Sequence, residues 1–222
     1  MQRIDSEEIL DSNTCPPGEV EDSLRDLCRI NRWFGGVATT RDLIARVSSE
    51  TGKKRLSLLE VASGFGEVPR AAGQQLAPQG ITLDVTDLDR LPTHLDRGHR
   101  ALVADALALP FSPGSFDLVT CSLFAHHLQP PELSKFADEA LRVSRCALLI
   151  NDLIRHPMHL ALVYAGFAFM RSYVSRVDGL ASVRRAYVPS EMRQILANCN
   201  HARHRIEISR HYLFRMGVIV WK

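Results

Sequence analysis

The chain has 222 residues, of which 45% are hydrophobic and 23% are charged, and its formal net charge is +2. This length and composition suffice for a full hydrophobic core and predict a single domain. A charge so close to neutral gives no indication of binding to nucleic acid or to an anionic membrane.

Cysteine usage and apolar runs narrow the class of protein further. The five cysteines are odd in number and show neither CxxC nor metal-ligand spacing, which argues against a disulfide framework and a zinc site. We therefore expect reduced thiols, a cytoplasmic location and no metal ligands. The N-terminal sequence lacks the order of a secretory signal, and the longest apolar run, residues 160–170, is too short to span a bilayer.

The first 50 residues are expected to form an N-terminal helical cap. Residues 1–20 form an acidic lead-in that we expect to be mobile, and it ends at a Pro-Pro-Gly breaker. Two helices follow, one ending at Gly35 and Gly36, the other spanning residues 40–48.

The central stretch of the sequence is residues 56–69, LSLLEVASGFGEVP. It predicts a short apolar strand that ends at Glu60, a loop of small residues, and a helix with Pro69 in its early part. Such a unit presents loop amides and the positive end of a helix to a ligand. The glycine loop alone is weak evidence, but a carboxylate at the strand end supplies an acceptor that a turn does not require.

Two further strands end in carboxylates. The strand over residues 81–85 leads into Asp87, and a carboxylate at that point can accept from both hydroxyls of a ribose. The alternative is that Asp84, Asp87 and Asp89 are a solvated strand end. The strand over residues 101–104 ends at Asp105, which is followed by an apolar patch suited to an adenine ring.

The alternation continues with a fourth strand over residues 116–121, a helix over 131–143 and a fifth strand over 147–151. Five strands alternating with helices predict a parallel sheet with crossover helices on both faces. Two strands near the end, residues 205–209 and 213–221, are expected to form an antiparallel hairpin.

The segments LLEVASGFG, TDLD, ADALALPF and FDLVTCSLFAHHL, in this order, resemble the class I S-adenosylmethionine-dependent methyltransferases. They are most similar to the small-molecule group that includes the ubiquinone and menaquinone biosynthesis enzymes. The resemblance covers about residues 56–152. It implies an α/β fold with a Rossmann-like, doubly wound, mostly parallel seven-stranded sheet and an antiparallel last strand. It also implies S-adenosylmethionine as cofactor and S-adenosylhomocysteine as product.

The resemblance assigns cofactor-binding residues to each part of the ligand. Ala62 stands where the family usually has its first glycine. An alanine is tolerated at this position if its φ is negative. The implied set is Glu60, Ala62, Ser63 and Gly64 for the methionine part, Asp87 for the ribose, Leu88, Asp105 and Ala106 for adenine, and Cys121 and Ser122 along the path to the methyl group.

An oxygen acceptor must lose a proton, and histidine is suited to remove it near neutral pH. The candidates follow the fourth and fifth strands, where sites of such folds gather: His126, His127, His156 and His159. His127 and His156 are the first candidates for this catalytic base. Alternatively, His126 and His127 are structural caps, and transfer to carbon or to an amine needs no histidine.

A helical insertion over residues 155–188 separates the fifth strand from the next helix. Its apolar run, residues 158–173, is expected to cover the acceptor as a hydrophobic lid built from Tyr164, Phe167, Met170 and Tyr173. A dimer face or an extra core helix is an equal alternative.

The sequence therefore predicts methyl transfer to a small hydrophobic acceptor. The simplest acceptor group is a hydroxyl of an aromatic polyketide, phenol or quinone-like molecule in secondary metabolism. We expect the protein to be a monomer or a homodimer. Alternatives are a C- or N-methyltransferase, an enzyme such as a cyclase that uses the cofactor without transferring its methyl, and a non-catalytic interaction protein. A nicotinamide dehydrogenase is disfavoured because Pro69 takes the place of the third glycine of its fingerprint.

Overall fold

The computed structural model describes residues 1–11, 15–95, 98–199 and 205–222. Seven strands form one sheet: β1 Arg55–Val61, β2 Thr82–Asp89, β3 Ala101–Val103, β4 Phe116–Ser122, β5 Ser144–Leu153, β6 Ile206–His211 and β7 Arg215–Trp221. The α-helices are α1 Pro17–Trp33, α2 Gly36–Thr51, α3 Glu67–Leu76, α4 Pro130–Val143, α5 Pro157–Gly166, α6 Tyr173–Arg185 and α7 Pro189–Ala197.

The strand order is β3-β2-β1-β4-β5-β7-β6. Strands β1 to β5 are parallel, and β7 is antiparallel to both β5 and β6. This arrangement confirms the predicted doubly wound, mostly parallel sheet and the closing antiparallel hairpin. The order reverses between β1 and β4, so the crevice for ligands lies beyond the carboxyl ends of these strands.

Helices cover both faces of the sheet, and this explains why its central strands are almost continuously apolar. One face packs Leu59 and Ile150 against Phe136 of α4. The other face packs Leu58 and Leu149 together with the helices α2 and α3. The five cysteines are all free thiols, as the sequence predicted.

Residues 1–11, here called the N-terminal strap, are held against the body of the protein. The Arg3 guanidinium donates to the carbonyl oxygens of His126, Leu128 and Arg185 and lies 4.5 Å from the centre of the Tyr187 ring. The expectation of a mobile lead-in is therefore wrong for this part of it. In the sequence, the charged side chains of this segment indicate exposure to solvent. The residues with which they pair lie far away in the chain and are brought to them only by the fold.

The insertion divides into two helices. A 3-10 turn, Phe167–Phe169, separates α5 from α6, so the single helical run expected over residues 158–173 does not form. The break has a local cause: the amides of Arg171 and Ser172 donate to the Asp26 carboxylate of α1 instead of to helix carbonyls. Within the described residues, no helix is long and apolar enough to cross a membrane.

The Asp178 carboxylate of α6 fastens the strap, because it accepts hydrogen bonds of 2.9 Å from the amides of Ile9 and Leu10. Replacing Asp178 with Ala removes this acceptor, which is worth about 1–3 kcal/mol for a buried polar group. We expect amide hydrogen exchange at Ile9 and Leu10 to become about tenfold faster or more. The exposed Asp22 provides the control Asp22→Ala; equal exchange in the two variants would contradict this role of Asp178.

Candidate active site

A cavity of about 490 Å³ lies at the carboxyl ends of β1, β2 and β4. The helices α1 and α6 and the N-terminal strap form its other walls. Eight of the ten predicted cofactor-binding residues line it: Glu60, Ala62, Ser63, Gly64, Leu88, Asp105, Ala106 and Ser122. Separate strands and loops thus meet at one place, as the topology requires.

The two remaining predictions, Asp87 and Cys121, are not among the lining residues. Cys121 is buried in the core below the cavity, since the alternation of β4 turns its side chain away. The Asp87 carboxylate lies under the β1–α3 loop, where it pairs with Arg70 at 2.7 Å. A Cβ on Gly66 would come within 2.6 Å of both Asp87 oxygens, so the loop closes over this carboxylate and glycine is required there.

Asp89 occupies the position that the sequence analysis gave to Asp87. Its carboxylate accepts hydrogen bonds from the amides of Gly64 at 3.2 Å and Leu91 at 3.0 Å, and it lines the cavity. Both aspartates project from the same face of β2, because they are two residues apart. Only the position of the glycine loop decides which one faces a ligand.

Glu60 places a fully buried carboxyl group at the end of β1. Burial raises its pKa to about 7, although a hydrogen bond from the Thr120 hydroxyl opposes that shift. A carboxyl group that loses its proton near neutrality is suited to receive a cationic group of a ligand, which stabilises the ionised form.

Two non-glycine residues that line the cavity have left-handed backbone conformations. Ala62 has a φ of 53° and Leu123 a φ of 56°, at the ends of β1 and β4. The condition of a negative φ at Ala62 is therefore not met: the turn keeps the geometry for which glycine is suited, and alanine adopts it at a cost of about 1–2 kcal/mol. Strain of this kind is concentrated at functional sites.

Two histidines follow β4 and face the cavity, each held by a carboxylate. The buried His126 ring places Nδ1 2.7 Å from Asp152, and its backbone amide donates to the same carboxylate. Burial disfavours the charged ring, but Asp152 and Glu8 outweigh it and raise the pKa of His126 to about 10. The neighbouring His127 has its Nδ1 2.7 Å from the carboxylate of Asp11 in the strap.

The structure does not support His156 as a catalytic residue. It is exposed and is not among the lining residues, its Nδ1 accepts the Met158 amide at the start of α5, and its ring stacks on Phe214 at 4.9 Å. The buried His159 lines the cavity instead. Its Nδ1 lies 3.0 Å from the Ile154 carbonyl, and burial lowers its pKa.

The acceptor side is less apolar than the sequence indicated. Of the predicted lid residues only Met170 lines the cavity. Tyr164 and Tyr173 are 50% and 68% exposed, and Phe167 packs against Tyr164 with ring centres 5.3 Å apart. Of the five α6 residues that line the cavity, one is the apolar Val183 and four are small or polar, which are Ser175, Asp178, Gly179 and Ser182.

Several lining residues had no recognisable sequence pattern. Glu8 and Asp11 come from the strap, more than a hundred residues before the histidines that they face. Arg215 begins β7, is 1% exposed, and donates to Asn31 at 2.8 Å. Burial lowers its pKa to about 10, so it remains a cation at the wall of the cavity. Asp89, by contrast, lay within the motif TDLD that pointed to the site.

Comparison with known proteins supports an enzyme of the predicted kind. Residues 59–146 match the model of a methyltransferase domain. The chain therefore carries a methyltransferase domain. A search of curated protein sequences found no match to the chain.

Solved structures with low identity share the fold of this methyltransferase. The plantazolicin methyltransferase BpumL in complex with SAH has a TM-score of 0.67 at 12% identity, over 92% of this chain and 95% of that chain. A SAM-dependent methyltransferase from Aquifex aeolicus has a TM-score of 0.58 at 14% identity, over 94% and 99%. Human N-acetylserotonin methyltransferase in complex with SAM has a TM-score of 0.61 at 11% identity, over 92% and 56%.

The residues around the cavity fit S-adenosylmethionine, the cofactor that the sequence predicts, in their chemistry. The methionine part carries an ammonium group, for which the buried Glu60 carboxylate is a counter-ion. The ribose carries two hydroxyls, for which a carboxylate beside the glycine loop provides acceptors, and Ala106 and Leu107 line the cavity near the third strand. The donor set therefore contains a matching group for each part of the ligand.

Glu60 should reduce the stability of the ligand-free methyltransferase above neutral pH. Its pKa is raised from 4.5 to about 7 by burial, so the folded state resists ionisation and loses stability as the pH rises between these values. Glu60→Gln removes that cost, and the variant should be more stable than the parent by about 3 kcal/mol at pH 8. At pH 4.5 the two should differ little.

Urea unfolding of both proteins at the two pH values measures this difference, and other titrating groups cancel in the comparison. A constant difference across the pH range would show that Glu60 does not titrate in the folded protein.

Proposed function

We propose that this methyltransferase transfers the methyl group of S-adenosylmethionine to a hydroxyl of a small aromatic acceptor, such as a polyketide, phenol or quinone-like molecule. The observation that carries the proposal is the arrangement of His126 and His127, which face the same cavity as the glycine loop and are each oriented by a carboxylate. We further propose that residues 1–222 act as one domain, with residues 1–50 as a helical cap and 155–188 as the insertion over the acceptor.

The cofactor would lie along the carboxyl ends of β1, β2 and β3. Glu60 would pair with the ammonium group, and the methionine part would approach the backbone of Ala62, Ser63 and Gly64, which line the cavity. We reassign the ribose hydroxyls from Asp87 to Asp89, because Asp87 is already neutralised by Arg70 beneath the loop. Adenine would pack near Ala106, with Asp105 accepting from its amino group.

The chemistry asks little of the protein beyond alignment and exclusion of water. A sulfonium methyl is already activated, so the acceptor oxygen must be brought in line with the bond from sulfur to carbon. The oxygen attacks the methyl carbon and the electron pair of the breaking bond stays on sulfur, which yields S-adenosylhomocysteine. His127, oriented by Asp11, is placed to remove the hydroxyl proton.

The acceptor side supports an aromatic molecule that carries several polar groups. Leu27, Phe124, Val163 and Met170 offer apolar walls for a ring. Ser175 and Ser182 of α6 offer hydroxyls, and Arg215 offers a cation to a phenolate or carboxylate.

Two variants test the ribose assignment, at two aspartates that are neighbours on the same face of β2. Asp89→Asn removes a charged acceptor from the cavity, so binding of S-adenosylhomocysteine should weaken about 10- to 100-fold, the equivalent of 1–3 kcal/mol. Asp87→Asn breaks the pair with Arg70 and should lower stability with little change in affinity. Calorimetric titration and urea unfolding of both variants measure the two effects; the reverse pattern would restore Asp87 as the ribose ligand.

His127 should be needed for turnover and not for cofactor binding. We expect His127→Ala to slow methyl transfer to a phenolic acceptor by about 100-fold or more, the range for loss of a general base. His156→Ala is the matched control and should retain parental turnover, because His156 is exposed and outside the cavity lining. Equal rates in both variants would favour transfer to carbon or to an amine. Formation of S-adenosylhomocysteine without methylated product would indicate that the methyl goes to water.

A further inference from the structure

Three side chains meet at the acceptor end of the cavity: Glu8 of the N-terminal strap, and His126 and His127 after β4. Each offers one ligand atom, and these atoms lie within 4.8 Å of one another. Glu8 is 7% exposed and His126 is 1% exposed, so the cluster is not a solvated group of surface charges.

The contacts between the histidines and Glu8 are longer than the contacts of the same histidines with the carboxylates outside the cluster. Each histidine has its Nδ1 2.7 Å from an outer carboxylate, Asp152 for His126 and Asp11 for His127. The inner nitrogens are farther from their carboxylate: Nε2 of His126 lies 3.4 Å, and Nε2 of His127 3.7 Å, from Glu8 oxygens. Strong hydrogen bonds to a carboxylate are shorter than this, at about 2.7–2.9 Å.

The outer contacts match the second shell of a metal site. A histidine that binds a metal almost always donates its other ring N–H to a carboxylate or carbonyl, which fixes the tautomer and aims the free lone pair at the ion. Here both histidines have that partner at Nδ1, and both Nε2 atoms face Glu8. A histidine that only caps a turn does not need a carboxylate at Nδ1 and a second carboxylate facing Nε2. Here two adjacent histidines have both.

A second observation points to a missing partner. The Nε2 atom of His126 is buried, and Glu8, 3.4 Å away, does not meet it with the geometry of a hydrogen bond. Such an atom is costly unless something satisfies it. The surrounding charge favours a cation, because Glu8, Asp11 and Asp152 face the two rings while Arg185 approaches Glu8 and Asp11 at 3.9 Å. A bound metal ion would displace the proton that His126 carries in its absence.

We propose that Glu8, His126 and His127 bind a divalent transition metal ion of the Zn²⁺ type. Bonds of about 2.0–2.1 Å in a tetrahedron place neighbouring ligand atoms about 3.4 Å apart. Nε2 of His126 is already 3.4 Å from Glu8 Oε1, and the other separations, which are below 4.8 Å, would close to that value when the ion binds. Imidazole nitrogens favour Zn²⁺, Fe²⁺ or Ni²⁺ over Mg²⁺ and Ca²⁺, which prefer oxygen ligands. Three protein ligands leave one position open, and it faces the cavity.

The open position suggests a role that rests on the proposed methyl transfer, with the metal ion in place of His127 as the group that promotes loss of the hydroxyl proton. An acceptor hydroxyl bound there has a lowered pKa, so its O–H proton leaves to solvent before methyl transfer and the oxygen attacks as an alkoxide or phenolate. The methyl carbon then bonds to that oxygen, and the electron pair of the broken carbon–sulfur bond stays on sulfur. Such a site lets the N-terminal strap control turnover, because one of its three ligands belongs to the strap.

Metal binding is tested on the untagged full-length protein, stripped with a chelator and dialysed. We expect calorimetric titration with Zn²⁺ to give one site per chain of micromolar affinity or tighter. Titration with Co²⁺ should produce the visible absorption of a four- or five-coordinate site. Glu8→Gln and His127→Ala should each weaken Zn²⁺ binding at least 100-fold, while His211→Ala, on the distant strand β6, should bind as the parent does.

Circular dichroism of each variant establishes that it is folded, and His126→Gln is a second variant in case one of the others is not. The absence of a 1:1 site would overturn the proposal, as would equal Zn²⁺ affinity in the parent and in folded Glu8→Gln and His127→Ala. Those results would leave an ion-paired cluster only.

A parallel titration with S-adenosylhomocysteine separates this proposal from the proposed function. Cofactor binding without Zn²⁺ binding would remove the metal site alone. Zn²⁺ binding without cofactor binding would keep the metal site and remove the assigned methyl-transfer site.

Discussion

The buried ion pair between Asp152 and His126 is the interaction on which the acceptor end of the molecule depends. The Asp152 carboxylate accepts hydrogen bonds from the backbone amides of His126 and Leu153, and it also contacts Nδ1 of the His126 ring. Burial alone would raise the pKa of Asp152, but His126 outweighs that effect and keeps it lowered, so the pair remains ionised. Removing one partner of such a pair costs about 3–5 kcal/mol, because the other charge stays buried.

This pair organises elements that are distant in the chain. Asp152 belongs to β5, His126 to the segment after β4, and Glu8, beside the His126 ring, to the N-terminal strap. The strap is anchored in turn by Asp178 of α6 and by the Arg3 side chain. Sheet, strap and insertion therefore meet at one cluster of charges, and a change in any of them reaches the site where the acceptor would bind.

The two edges of the sheet differ in how their charges are satisfied. At the amino edge, Asp117 accepts from Lys53, Arg145 and Ser57, and these contacts hold its pKa well below the usual range against the effect of burial. At the carboxyl edge, Glu60 keeps a raised pKa, and Ala62 has a strained φ. The raised pKa of Glu60 and the strained φ of Ala62 thus both lie at the edge that borders the cavity. Enzymes commonly have such destabilising features at their functional sites.

The sequence by itself determined the parts of this protein that rest on local pattern. Apolar strands alternating with helices predicted the parallel sheet, because buried parallel strands must be apolar and need crossover helices. The LEVASGFG loop and the two histidines after β4 marked the crevice, since the carboxyl ends of neighbouring strands meet at one edge. Tertiary structure decided the rest. Asp87 and Asp89 share a strand face, and only the packing of Gly66 over Asp87 leaves Asp89 as the one that lines the cavity. His156 and His159 are three residues apart, and the docking of α5 exposed one and buried the other. The roles of Glu8, Asp11 and Arg215 depend on contacts across most of the chain, which no short-range periodicity can encode.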